Sequence, residues 1–121
     1  MLVVDELQTV SVKAKLFRGF ADASRLAILE TLRSGSHTVN DIVLETGLGQ
    51  SNVSNHLGCL RECGLVRRER RGRFADYQLA SPEIAAVLLA GDRLLEQVSE
   101  LIANCANYDC GERKAASRRA P

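Results

Sequence analysis

Tryptophan is absent from this chain, and aromatic residues of all kinds make up only 4%. A core drawn from such a sequence has to be aliphatic, which suits small packed helices better than an aromatic-rich β-sandwich. No stretch approaches the roughly 18 consecutive apolar residues that a membrane span needs. The opening MLVVDELQTVSVKAK lacks the basic leader, apolar run and cleavage site of a secretory signal. A cytoplasmic protein with no membrane partner is therefore expected. Also missing are the C-x-x-C spacing of thiol oxidoreductases, a Cys–His pair, a carboxylate pair and a glycine-rich phosphate loop. These absences argue against an enzyme.

What is present suits one domain of 121 residues, 45% of them hydrophobic, enough for a compact core. A protomer this small gains stability by pairing with a copy of itself. The net charge of +1 says little, but its distribution says more. From Arg61 to Arg73 there are six arginines (61, 67, 68, 70, 71 and 73) against two acids, Glu62 and Glu69. Such local concentration of positive charge is the electrostatic mark of a nucleic-acid binder. Four cysteines complete the inventory. In a reducing compartment they read as ligands or reactive groups rather than structural disulfides.

Along the chain, Leu7, Val10, Ala14 and Phe17 fall on one stripe of a helix predicted over 5–19. Asp22 is placed to cap a second helix, 23–33, with Leu26, Ile28, Leu29 and Leu32 inside. His37, in the loop that follows, is read as solvent-facing. Thr38 caps a short helix over 39–46, Gly47-Leu48-Gly49 breaks the chain, and a further helix runs from about Ser51 to Glu62, closed by Gly64. Two short helices on a tight glycine turn make a helix-turn-helix. A β-hairpin follows directly, with Arg71-Gly72-Arg73 at its tip and Phe74, Tyr77 and Leu79 on the return strand. Pro82 opens a last helix to about residue 104, with apolar Ile84, Val87, Leu88, Leu94, Leu95, Val98, Leu101 and Ile102. It is long for so small a core and, with the first helix, reads as a dimerisation surface. The expected fold is mainly α with a small β-hairpin wing. This is a winged helix-turn-helix dimerised through its N- and C-terminal helices, with residues 1–110 as the domain and 111–121 as a mobile polar tail.

The segment SNVSNHLGCLRECGLV carries the chemistry. At about 100° per residue, Val53, Leu57 and Leu60 share one side of the helix and Asn52, Asn55 and His56 project from another. Cys59 and Cys63 lie on that projecting side, farther along the axis. Gln50, Ser51, Asn52, Ser54, Asn55 and His56 suit the end of a helix that enters a DNA major groove. Arg67, Arg68, Arg70, Arg71 and Arg73 suit the flanking backbone. Two thiols at i and i+4 have Cβ atoms about 5–6 Å apart and converge on one ion at sulfur–metal lengths near 2.3 Å. Two donors are too few for tight binding, and either Cys105 or Cys110 is able to supply a third. All-sulfur ligation selects soft ions: cadmium, lead, mercury or arsenite rather than magnesium or manganese. A thiol-based redox switch that forms disulfides remains the competing reading of the same cysteines.

The runs ADASRLAILETL, SNVSNHLGCLRECGLV and RRERRGRFADYQL resemble the ArsR/SmtB family of winged-helix metal-sensing repressors over roughly residues 12–105. The doubly thiolated helix resembles most the CmtR-type cadmium/lead sensors of that family. The resemblance implies a homodimeric repressor of double-stranded operator DNA, released when a thiophilic ion (Cd or Pb; Zn, Hg or As(III) as further candidates) binds. It implies Cys59 and Cys63 as ligands, joined by a C-terminal cysteine of the other subunit. Cys105 falls near the expected place, and Cys110 is an extra candidate. TVNDIVLETG lacks the cysteine pair of other sensor types, and the last helix has no histidine, so the zinc-sensor ligand set is missing.

Overall fold

The computed structural model describes residues 6–108, so Cys110 and the tail from Gly111 lie outside the described residues. The order of elements is α1 (Glu6–Ala21), α2 (Ala23–Leu32), α3 (Val39–Thr46), α4 (Gln50–Glu62), β1 (Val66–Arg71), β2 (Phe74–Leu79), α5 (Pro82–Ala103) and a 3-10 turn, Ala106–Tyr108. All five predicted helices and the hairpin are present, with ends within a residue or two of those read from the sequence. The chain falls into two compact units that divide after Ala85, within α5.

In the first unit the core is aliphatic throughout. Ile28, Leu29 and Leu32 of α2, Ile42 of α3, and Val53, Leu57 and Leu60 of α4 are buried, joined by Leu65, Val66 and Ile84. Each such side chain contributes about 1.5–3 kcal/mol when fully buried. The spacing of Val53, Leu57 and Leu60 is what turns α4's other side outward.

Local chemistry sets the helix ends. Asp22 accepts from the Arg25 backbone N–H at 3.0 Å and starts α2. Thr38 and Asp41 form a reciprocal capping box on α3, with bonds of 3.1 and 3.0 Å. Gly47 ends α3 in the left-handed region at φ 76°, and Gly49 starts α4 two residues later.

β1 and β2 pair antiparallel, from Val66 opposite Leu79 to Arg71 opposite Phe74. His37 departs from the sequence reading. It is half-buried, and its backbone exchanges two hydrogen bonds with Tyr77, N–H to O at 3.0 Å and O from N–H at 2.7 Å. The free edge of β2 offers unpaired backbone groups, and the loop before α3 supplies the partner. The hairpin is thereby tied to the helix-turn-helix.

In the second unit α5 keeps its helical form to Ala103, and Leu94, Leu95, Leu101 and Ile102 are exposed. Among the described residues no helix is long and apolar enough to cross a membrane.

Candidate nucleic-acid interface and thiol pair

Helix α4 begins without a side-chain cap, because its N-cap is Gly49. Among the described residues no side chain caps its first turn, and the positive end of the helix dipole is free of a capping side chain. Gln50, Ser51, Asn52, Ser54 and Asn55 are all exposed around this end. His56 differs from them. It is half-buried and close enough to Asp22 to act on that carboxylate. Asp22 is held below the ordinary aspartate range chiefly by the Arg25 N–H. The charges of Arg25 and His56 add to this, against some desolvation.

The far end of α4 is closed by a left-handed glycine. Gly64 stands at φ 82°, its N–H donates to Arg61 O at 3.1 Å, and Leu65 N–H donates to Leu60 O at 2.9 Å. This is a Schellman closure. It leaves Cys63 as the last residue before the turn, its N–H on Cys59 O at 3.0 Å. Both thiols are free and exposed while Leu57 and Leu60 beside them are buried. The structure therefore brings Cys59 and Cys63 together, one turn apart, on a solvent-facing side of α4. Cys105 is free and half-buried, just beyond α5. Among the described residues no three His, Cys, Asp or Glu side chains cluster as a metal site.

On the wing, Arg67, Arg68, Arg70, Arg71 and Arg73 are all exposed. Arg71 differs from the rest, because its Nε lies 2.9 Å from Oδ2 of Asp76, which is only 8% exposed. Arg71 is partly occupied in holding the hairpin, while the other four form no ion pair among the described residues. Phe74, beside the tip, is 65% exposed.

Two features escaped the sequence reading. Arg25 donates to Gly19 O at 3.2 Å and Arg18 O at 2.9 Å, closing the C-terminus of α1. A cation in the first turn of its own helix is unfavourably placed, and that mismatch was the available signal. The second is a groove lined by α1 residues Val12 and Leu16 together with both cysteines. The i, i+4 spacing of Val12 and Leu16 off the main stripe was its only trace.

The family model of the bacterial regulatory protein, arsR family, matches residues 22–68. The HTH-type transcriptional regulator CmtR of Mycobacterium tuberculosis is 38% identical over 110 residues, covering 91% of this chain and 88% of that protein. The NMR structure of the cadmium metal-sensor CMTR from the same organism superposes with a TM-score of 0.56 at 44% identity, over 62% of this chain and 78% of the other. A probable mercury resistance operon repressor of Streptomyces lividans is 33% identical over 80% of this chain and 73% of its own. The homodimeric winged helix-turn-helix domain Mb0332 from Mycobacterium bovis gives a TM-score of 0.64 at 27% identity, covering 80% of this chain and 95% of that one.

Proposed function

Since the chain belongs to the ArsR family of transcriptional regulators and carries its winged helix-turn-helix, we propose that it is a cytoplasmic repressor that binds operator DNA as a homodimer and lets go when a soft ion occupies its thiols. Residues 1–110 act as one DNA-binding and dimerisation domain. Gln50, Ser51, Asn52, Ser54, Asn55 and His56 meet the major groove, where Asn and Gln suit adenine. The uncapped start of α4 suits a phosphate. Arg67, Arg68, Arg70 and Arg73, with Arg71 in part, track the flanking backbone.

The observation that carries the reading is the exposure of Cys59 and Cys63 on the helix that also presents the polar reading groups. Two exposed thiols one turn apart fit a thiophilic ion. Cys105 or Cys110, from this chain or its partner, completes the set. When Cys59 and Cys63 are drawn toward a C-terminal thiol, α4 is held in an orientation the operator does not accept. Cadmium and lead are the favoured inducers, in keeping with the cadmium-sensing relative; mercury, zinc and arsenite are further candidates. Couplings of this kind are typically about 5–150-fold in affinity.

The experiment is an anaerobic titration of the fully reduced protein with cadmium, lead and arsenite. Thiolate-to-metal absorption is followed together with the anisotropy of labelled operator. Release in step with the absorption is the expected result. Release only after an oxidant is added would instead establish the disulfide switch.

A further inference from the structure

Between α1 and the end of α4 runs a groove of about 580 Å³, a size typical of small-molecule sites. Its apolar walls are Val12 and Leu16 of α1, with Leu60 of α4 and Leu65 just beyond it. At about 100° per residue, Val12, Lys15, Leu16 and Gly19 fall within one arc of α1. That arc lies roughly opposite Val10 and Phe17, the stripe assigned to dimerisation, so the groove is separate from the face a second copy would cover. Gly19 lets α1 come close at one end, where an added Cβ would lie 3.3 Å from Leu65 Cδ1. Leu60 and Leu65 are buried, whereas Val12 is 61% and Leu16 44% exposed. The α1 wall therefore still has apolar area for a ligand to cover.

The charges on this groove are of one sign. Lys15, Arg18 and Arg25 line it, and among the described residues no carboxylate does. Arg25 is engaged, since its guanidinium donates to Gly19 O and Arg18 O and its charge acts on Asp22. Lys15 and Arg18 are exposed and form no ion pair among the described residues. They stand three residues apart, adjacent along one edge of the α1 wall. Apolar walls with cations along one edge complement a molecule with an apolar body and one anionic end. The chain's own segment from Gly111 is a poor match, because it carries four cations against one acid. We propose that the groove binds a single-chain amphipathic anion of the medium-chain carboxylate class. Its chain lies on Val12, Leu16, Leu60 and Leu65, and its head group on Lys15 and Arg18. Both thiols border the groove, but the site needs neither of them and stands apart from metal capture.

The test is calorimetry on the full reduced chain, free of metal, with decanoate and decanol as monomers in solution. One decanoate per chain is expected, bound about fivefold more tightly than decanol, as suits exposed charge pairs. Lys15→Gln is expected to remove most of that preference. Leu16→Ala is expected to weaken decanoate and decanol alike, by about three- to tenfold, through lost apolar contact. Both side chains are exposed, so neither variant threatens the fold. Cys59→Ser with Cys63→Ser is expected to keep decanoate affinity within about twofold while losing cadmium absorption. Equal affinity for decanoate and decanol, a preference untouched by Lys15→Gln, or uptake of several molecules per chain without saturation overturns the groove proposal. So does capture by phosphatidylglycerol vesicles without binding of free decanoate. Each of these leaves the metal-sensing reading standing. Cadmium absorption unchanged in the double cysteine variant would overturn that reading and leave the groove proposal intact.

Discussion

At the residue scale, small groups decide where the functional ones point. Asp22 shows this through pH. Its folded-state carboxyl titrates below the ordinary value of 3.8. Its stabilisation is therefore fully present above that value and is lost as pH falls through the folded one. Asp41, lowered by its bonds to the backbone and hydroxyl of Thr38, follows the same sign. Asp22→Ala is expected to cost about 1 kcal/mol in urea unfolding at pH 7. The gap between wild type and Asp22→Asn is expected to narrow below pH 4. A gap unchanged down to pH 3 would show that the carboxylate charge does not hold α2. Gly64 gives a second test. A Cβ there meets nothing within 4 Å, so Gly64→Ala costs only the left-handed backbone, about 1–2 kcal/mol. That substitution also disturbs the turn that aims Cys63, so cadmium absorption is expected to weaken along with stability. Asp22 and Gly64 were legible because caps and stops have strict chemistry. Arg25 was not, since its partners are α1 carbonyls that come near only on folding.

At the scale of elements, α4 and the hairpin divide the work between them. The side of α4 that faces solvent follows from Val53, Leu57 and Leu60, and a helical wheel is enough to read it. The hairpin was legible as a strand–turn–strand, but its internal economy was not. Arg71 and Asp76 sit two pairs apart on the ladder, and only the register makes their ion pair visible. Arg71→Ala is expected to lower stability more than Arg70→Ala, because it leaves a buried carboxylate without its partner. Arg70→Ala is expected instead to reduce the slope of log operator affinity against log salt by about 1. Both follow from parallel denaturation and anisotropy measurements. Equal salt slopes for wild type and Arg70→Ala would remove that arginine from the DNA interface. The tie from His37 to Tyr77 was beyond sequence reasoning, since a single-residue bridge leaves no alternation to detect.

At the scale of the whole molecule, the apolar residues left outside the core matter most. Val10 and Phe17 on α1, and Leu94, Leu95, Leu101 and Ile102 on α5, are exposed in the single chain. The sequence placed all of them on helix stripes, yet periodicity alone does not distinguish a stripe that meets its own core from one that meets a second copy. A solved winged-helix neighbour is homodimeric, and the homodimer proposed above would cover these residues. Phe17→Glu is expected to shift the sedimentation profile to monomer and to weaken operator binding, because one chain engages one half-site only. An unchanged dimer would move the interface away from α1. The central claim concerns coupling: capture of an ion by Cys59 and Cys63 weakens α4's grip on DNA. The most direct measurement is operator affinity with and without one equivalent of cadmium per thiol pair, under full reduction, for wild type and for Cys59→Ser with Cys63→Ser. A drop of about 5–150-fold is expected in wild type and none in the double variant, with metal-free affinities alike. An equal drop in both proteins, or no drop in wild type while the thiolate absorption saturates, would contradict it.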